Sequence, residues 1–309
     1  MEYETVGAAV DGSAVGQPKY KVKAKRKPLE VFMNALFFLC GMVAVAFVLI
    51  ISIYLVISGL PAILEIGPIN FLFGTRWYAS TGDFGIFAII LTSIAGTAGA
   101  ILIGVPIGLM TAIFLAKVAN PKLAKVVHTA VELLAGIPSV VYGLVGMILL
   151  VPAIRVAFGL PSGATLLAAI IVLSIMILPS IISVSETALR AVPREYEEAS
   201  LALGATHIET VFRVTVPAAR SGIATAIVLG IGRAIGETMA VVMVAGNQTW
   251  MPQGLFQGLR TMTSNIVIEM GYAAGLHREA LIATGVVLFV FILLINLCFN
   301  LVKGAEKNA

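Results

Sequence analysis

The sequence predicts an all-α integral membrane protein with six transmembrane helices, and three observations lead there. Of 309 residues, 59% are apolar and only 12% are charged, about half the charge that a soluble domain carries. Six apolar runs each reach the roughly 20 residues that cross about 30 Å of hydrocarbon as a helix. Lys and Arg are concentrated in alternate connections, the asymmetry that orients membrane spans.

Residues 1–30 form a polar tail that ends in a basic run, Lys19, Lys21, Lys23, Lys25, Arg26 and Lys27. It has no apolar periodicity and is expected to be disordered. Residues 31–80 hold the first span, at about 35–60, and an external segment. That run is too long for the apolar part of a signal peptide, and no cleavage-like site follows it, so it reads as a retained span. The other spans are expected near 86–116, 129–152, 163–188, 221–246 and 279–302. Pro106 should kink the second or let it extend beyond the bilayer.

Fifteen basic residues lie in the two termini and the 117–125 and 189–220 connections. Four (Arg76, Arg155, Arg260, Arg278) lie on the opposite side, and Arg233 lies inside a span. Both termini are therefore expected in the cytoplasm. The basic residues sit in short runs between apolar segments, so the pI near 9.1 does not point to nucleic acid. Cys40 and Cys298 lie inside apolar runs, where a thiol acts as a small hydrophobe. His128 and His207 fall in one set of connections and His277 in the other, so a metal site built from all three would have to cross the membrane. No G-x-x-x-x-G-K-[ST], H-E-x-x-H, C-x-x-C or G-x-S-x-G motif occurs, which leaves no phosphate-cradling loop, zinc pair or nucleophile elbow of those kinds.

The fourth inter-span connection is too long for a simple turn. Pro193 suits a helix's first turn, and Glu195, Glu197 and Glu198 suit its positive end. Gly204 offers a left-handed C-cap, and Thr206 with Glu209 three residues on reads as a capping box. A helix–turn–helix at the cytoplasmic surface is expected, with Leu201, Leu203, Val211 and Phe212 available to bury.

Arg233 and Glu237 fall near the middle of the fifth span. On one continuous helix they share a face and touch, offsetting part of the cost of two charges in lipid. An Arg fork also binds phosphate oxygens bidentately. The pair, with the Thr238 hydroxyl, is thus a candidate substrate path. Gly230, Gly232 and Gly236 nearby serve equally well for helix packing or close substrate approach. Trp77, Tyr78, Trp250 and Tyr272 in the external segments suit interface anchors or a receiving surface.

The order Glu198-Ala199-Ser200, three residues, Gly204, nine residues, Val214, one residue, Val216-Pro217 resembles the EAA loop of ABC-importer permeases. Ser replaces the second Ala, and Val replaces Ile and Leu, while the spacing is kept. Leu134–Gly143 and Gly232–Ala240 resemble the phosphate-importer branch. The resemblance covers about residues 80–302 and implies a type I ABC-importer permease (MetI-like) fold over 81–304, with a coupling loop at 193–217. It also implies a homologous second permease, two copies of a cytoplasmic ATPase that hold the ATP and Mg, and an external phosphate-binding protein. This chain itself would bind no cofactor, act as no enzyme, and sit in a bacterial plasma membrane. Glu195, Glu197, Glu198, Ala199, Gly204 and Pro217 would then contact the ATPase. A permease for sulfate, molybdate or phosphonate would share the loop. An ion-driven secondary transporter would account for Arg233 and Glu237 but not for the loop.

Overall fold

In the computed structural model, residues 28–307 are described. The tail expected over 1–30 lies outside the described residues except for its last three, which open the first helix. The chain divides into two compact units, Met1–Ile51 and Ser52–Ala309. Helix α1 (Pro28–Ile66) is longer than the expected 35–60 run, and its apolar stretch covers Leu29–Ile66.

In the second unit, α1 is followed by the short α2 (Pro68–Phe73) and a two-stranded hairpin, β1 (Trp77–Tyr78) and β2 (Asp83–Phe84). Phe71, Trp77, Phe84 and Ile86 are buried there with Ala62 and Leu281. Helix α3 (Phe87–Ile113) ends in a π-helical turn, Phe114–Val118. Helix α4 (Pro121–Gly136) starts with Pro121 at its first position and an Asn120 side chain that accepts the Leu123 N–H at 2.8 Å, the arrangement that satisfies an otherwise orphaned amide. Helix α5 (Ser139–Val145), a π turn (Gly146–Leu150) and α6 (Val151–Phe158) complete one span, and α7 (Leu166–Arg190) is the next.

Helices α8 (Arg194–Ala202), α9 (His207–Thr210) and α10 (Val216–Ala218), with a π turn at Val211–Thr215, make up the long connection. Then follow α11 (Arg220–Gly236), α12 (Met239–Val244), α13 (Met262–Glu269) and α14 (Leu276–Lys307). Among the described residues, five helices are long and apolar enough to cross a membrane. A sixth candidate is His207–Ala218 with Arg220–Gly236, bent by 70° at their junction.

Two expected spans are corrected. The third does not run from 129 to 152 but from Ser139 to Phe158. Pro138 lacks an N–H and pushes the residue before it out of the helical region, so Ile137 is extended and α4 stops at Gly136. The fifth is not continuous over 221–246, because Glu237 is extended and splits it into α11 and α12.

The core centres on α7, packed between α3 and α11. A Cβ added at Gly99, Gly104 or Gly108 of α3 would fall 2.4–2.8 Å from Ile170, Ile177 or Ile181 of α7. Small residues let two helix backbones approach where lipid supplies no hydrophobic drive between them. Gly104→Val should therefore wedge α3 from α7 and cost about 1–3 kcal/mol, the usual range for overpacking. The check is a lowered thermal midpoint of the purified protein in detergent.

Candidate functional site

The two interruptions lie in stretches far apart in sequence, and they meet in space. Helix α5 packs on α12: a Cβ on Gly143 would fall 2.8 Å from the Ala240 Cα and from the Met243 Sδ. Each break frees backbone carbonyls that lipid cannot satisfy, and side chains take them up. The Tyr142 hydroxyl donates to the Leu134 carbonyl at 2.7 Å. Thr238 Oγ1 donates to the Gly236 carbonyl at 3.2 Å, and Thr263 Oγ1 to the Glu237 carbonyl at 3.0 Å.

Arg233 sits in the last turn of α11, at one of these breaks, and is half-buried. Its Nη1 donates to Ser180 Oγ at 3.1 Å. The expected contact with Glu237 is not made, because a four-residue spacing aligns side chains only on a continuous helix. Glu237 lies beyond the end of α11, and its Oε1 accepts the Ala240 N–H at 3.1 Å, capping α12. Among the described residues Arg233 forms no ion pair. Gly232 and Gly236 meet nothing within 4 Å of an added Cβ, whereas Gly230 packs against Ile181. The site therefore contains one uncompensated guanidinium beside two broken helices and an open glycine surface. Ser180 was not legible as its partner, since nothing in its sequence context sets it apart from the other hydroxyls of the spans.

The 193–217 segment contains the helix–turn–helix. Gly204 has φ +88°, and Thr206 and Glu209 form a reciprocal capping box. Glu195, Glu198, Ala199, Gly204 and Pro217 are exposed. Of the apolar residues expected to bury, only Val211 does so. Leu203 is 91% exposed, and Leu201, Ile208 and Phe212 join it at the surface. Glu197 departs from the expected outward role. Its carboxylate pairs with Lys117 and accepts from Thr215 Oγ1 at 3.1 Å. Burial alone would push this carboxyl up, but the hydrogen bond and charge of Lys117, with Thr215, bring it below its ordinary value.

A second network, on the segments expected to be external, was not anticipated. Glu269 is 7% exposed and holds three partners. Trp77 Nε1 donates to it at 2.8 Å, His277 Nε2 lies at 2.8 Å, and Arg260 closes an ion pair. Arg260 also donates to the Asn247 carbonyl and to Asn265 Oδ1, each at 3.1 Å. Thr92 Oγ1 donates to the Arg260 carbonyl at 2.6 Å, and Ser93 Oγ accepts the Met262 N–H at 2.9 Å, which fastens this segment to α3. Trp77 is thus a buried donor rather than an interface anchor, whereas Tyr78, Trp250 and Tyr272 remain exposed.

Residues 104–305 match the family described as "Binding-protein-dependent transport system inner membrane component". The chain is 40% identical over 267 residues to the "Probable ABC transporter permease protein YqgH" of Bacillus subtilis (strain 168), covering 83% of this chain and 86% of that one. It is 37% identical over 246 residues to the "Phosphate transport system permease protein PstC" of Mesorhizobium japonicum, covering 73% and 75%. Against the Haemophilus influenzae protein of the same name it is 36% identical over 276 residues, covering 83% and 86%. Among solved structures, a bacterial alginate ABC transporter superposes with a TM-score of 0.59 at 17% identity, covering 89% of this chain and 96% of that one. The inward-facing MetNI methionine ABC transporter gives 0.55 at 23%, covering 72% and 94%. These two likenesses establish the fold.

Proposed function

The chain belongs to the family of binding-protein-dependent transport system inner membrane components, and on that premise we propose that it forms one half of the path through which an ATP-driven importer moves inorganic phosphate. It is a multi-pass inner-membrane permease subunit of an ABC importer, not an ATPase. Transporters of this kind work with an ATPase and a binding protein. The specific partners inferred are a homologous second permease, two copies of a cytoplasmic ATPase and an external phosphate-binding protein. The distribution of Lys and Arg supports termini in the cytoplasm.

The phosphate reading is supported by the relatives named as phosphate permeases and by the chemistry at the breaks. Discontinuous helices are the usual frame of substrate sites in membranes, because their ends present backbone and charge toward a cavity. Arg233 is the observation that carries the proposal: a guanidinium with a hydroxyl partner and no carboxylate among the described residues keeps its bidentate capacity for an anion. Glu237 holds the geometry of the break through α12, and Thr238 seals it from the other side. On the cytoplasmic side, the exposed face of Leu203, Ile208 and Phe212, flanked by Glu195 and Glu198, suits the ATPase contact. Ala199, Gly204 and Pro217 shape that face.

The deciding experiment is transport by the reconstituted complex with phosphate and sulfate in competition. Phosphate uptake should require ATP and the binding protein, and equal sulfate should leave it unchanged. Preferred uptake of sulfate, molybdate or a phosphonate would reassign the substrate.

A further inference from the structure

Helix α3 is not covalently adjacent to the 193–217 segment, yet its carbonyl end is built into that segment. The π turn closes with the Ala119 N–H on the Phe114 carbonyl at 2.7 Å, and the carbonyls of a helix's last turn lack partners inside the helix. Arg190 Nη2 takes the Leu115 carbonyl at 2.9 Å, placing a cation at the negative end of the helix dipole. His207 Nε2, from the first residue of α9, donates to the Lys117 carbonyl at 3.0 Å. Lys117 pairs with Glu197 of α8, which Thr215 also holds. Both members of the pair are mostly withdrawn from solvent, at 12% and 19% exposure, so water screens it less than a surface pair. Ala112 and Ile113 of α3 bury against Val211, Ala219 and Ile223 just above. Ser200 Oγ and Thr210 Oγ1, 2.9 Å apart, tie α8 to α9 so that the segment acts as one piece.

We propose that the Lys117–Glu197 pair is the joint through which the coupling segment moves α3, making both of them positioning residues for transport rather than ATPase contacts. This rests on reading 193–217 as the segment that meets the ATPase. Helices α7 and α11 follow that segment through the chain itself, but α3 is connected to it only by side chains. The pair adds a directional constraint that apolar packing lacks, since packed residues can slide whereas an ion pair with a second hydrogen bond fixes distance and angle.

The test uses the complete importer in liposomes with Lys117→Met, Glu197→Gln and the reversed pair K117E/E197K. Both single variants should retain the ATPase subunit and its hydrolysis, while phosphate moved per ATP falls about five- to tenfold, within the range of coupling effects known for residues between two sites. The reversed pair should restore most of it. Hydrogen exchange supplies a readout that does not depend on the substrate. Trapping the ATPase with vanadate should alter protection in both α8 and the end of α3 in the wild type, but in α8 alone in the single variants. The proposal fails if uptake per ATP stays within about twofold of wild type, if the end of α3 still responds with α8, or if the single variants release the ATPase. Should the reversed pair not assemble, Lys117→Arg decides, because retained coupling supports a charge joint and lost coupling overturns it. A wild-type complex that moves no phosphate overturns the substrate reading, and the exchange experiment then decides the joint by itself.

Discussion

Replacing Arg233 by Gln is expected to cut phosphate uptake by the assembled importer about thirty-fold or more while the complex still forms. Gln keeps a hydrogen-bond donor for Ser180 Oγ but loses the charge and the fork. A charged side chain within a membrane span is unfavourable for insertion, so its removal should not destabilise the helix. The loss falls on the loaded state, where removing one partner of a desolvated charge pair costs about 2–5 kcal/mol or more. Uptake of labelled phosphate into liposomes, beside the yield of intact complex, measures both halves of the expectation. Uptake near the wild-type level would remove Arg233 from the path. Lys at the same position should recover only part of the activity, because a point charge cannot bind two oxygens at once.

The second large effect concerns stability. Glu269→Ala should destabilise this part of the protein by about 3–5 kcal/mol, because it leaves the Arg260 charge buried without its carboxylate partner. Trp77 and His277 lose their acceptor in the same step. The same network has a pH signature. Burial would push the Glu269 carboxyl up from its ordinary 4.5, but hydrogen bonds from Trp77, His277 and Arg260, with the Arg260 charge, bring it below that value. A carboxyl lowered on folding stabilises fully above its unfolded value, and that contribution is lost as pH falls through the lowered folded value. The thermal midpoint of the wild type should therefore fall on acidification below the ordinary carboxylate range. In Glu269→Ala it should start low and lose that part of the pH dependence.

Much of the molecule could be read from residue order alone. The apolar runs marked α3, α7 and α14 to within a few residues, because lipid imposes length and polarity together. The turn chemistry of Gly204, Thr206 and Glu209 was equally legible, since capping is local. The breaks at Pro138 and Glu237 were not. Hydropathy averages over them, and the Glu237 break contains no proline. Its carbonyls are satisfied by Thr238 and Thr263, and the second of these lies 26 residues on. The same reason explains the misreading of Glu197 and Trp77. Both looked like surface residues in their own segments. Their partners, Lys117 and Glu269, are 80 and 192 residues away, beyond the reach of any local pattern.

The π turn at Phe114–Val118 bears on how the chain can tolerate insertion and deletion. A π turn accommodates one residue more than an α-helical turn and is paid for in weaker local hydrogen bonding. It works as a slip joint in helical phase: the apolar face of α3 above and the polar attachments of Leu115 and Lys117 below need not share one 3.6-residue rhythm. Were the same residues wound as α-helix instead, the chain beyond the turn would be rotated by up to about 100° relative to the helix above it. A lineage could therefore gain or lose one residue at this point and still keep the attachments of Leu115 and Lys117, because the turn takes up the difference in phase.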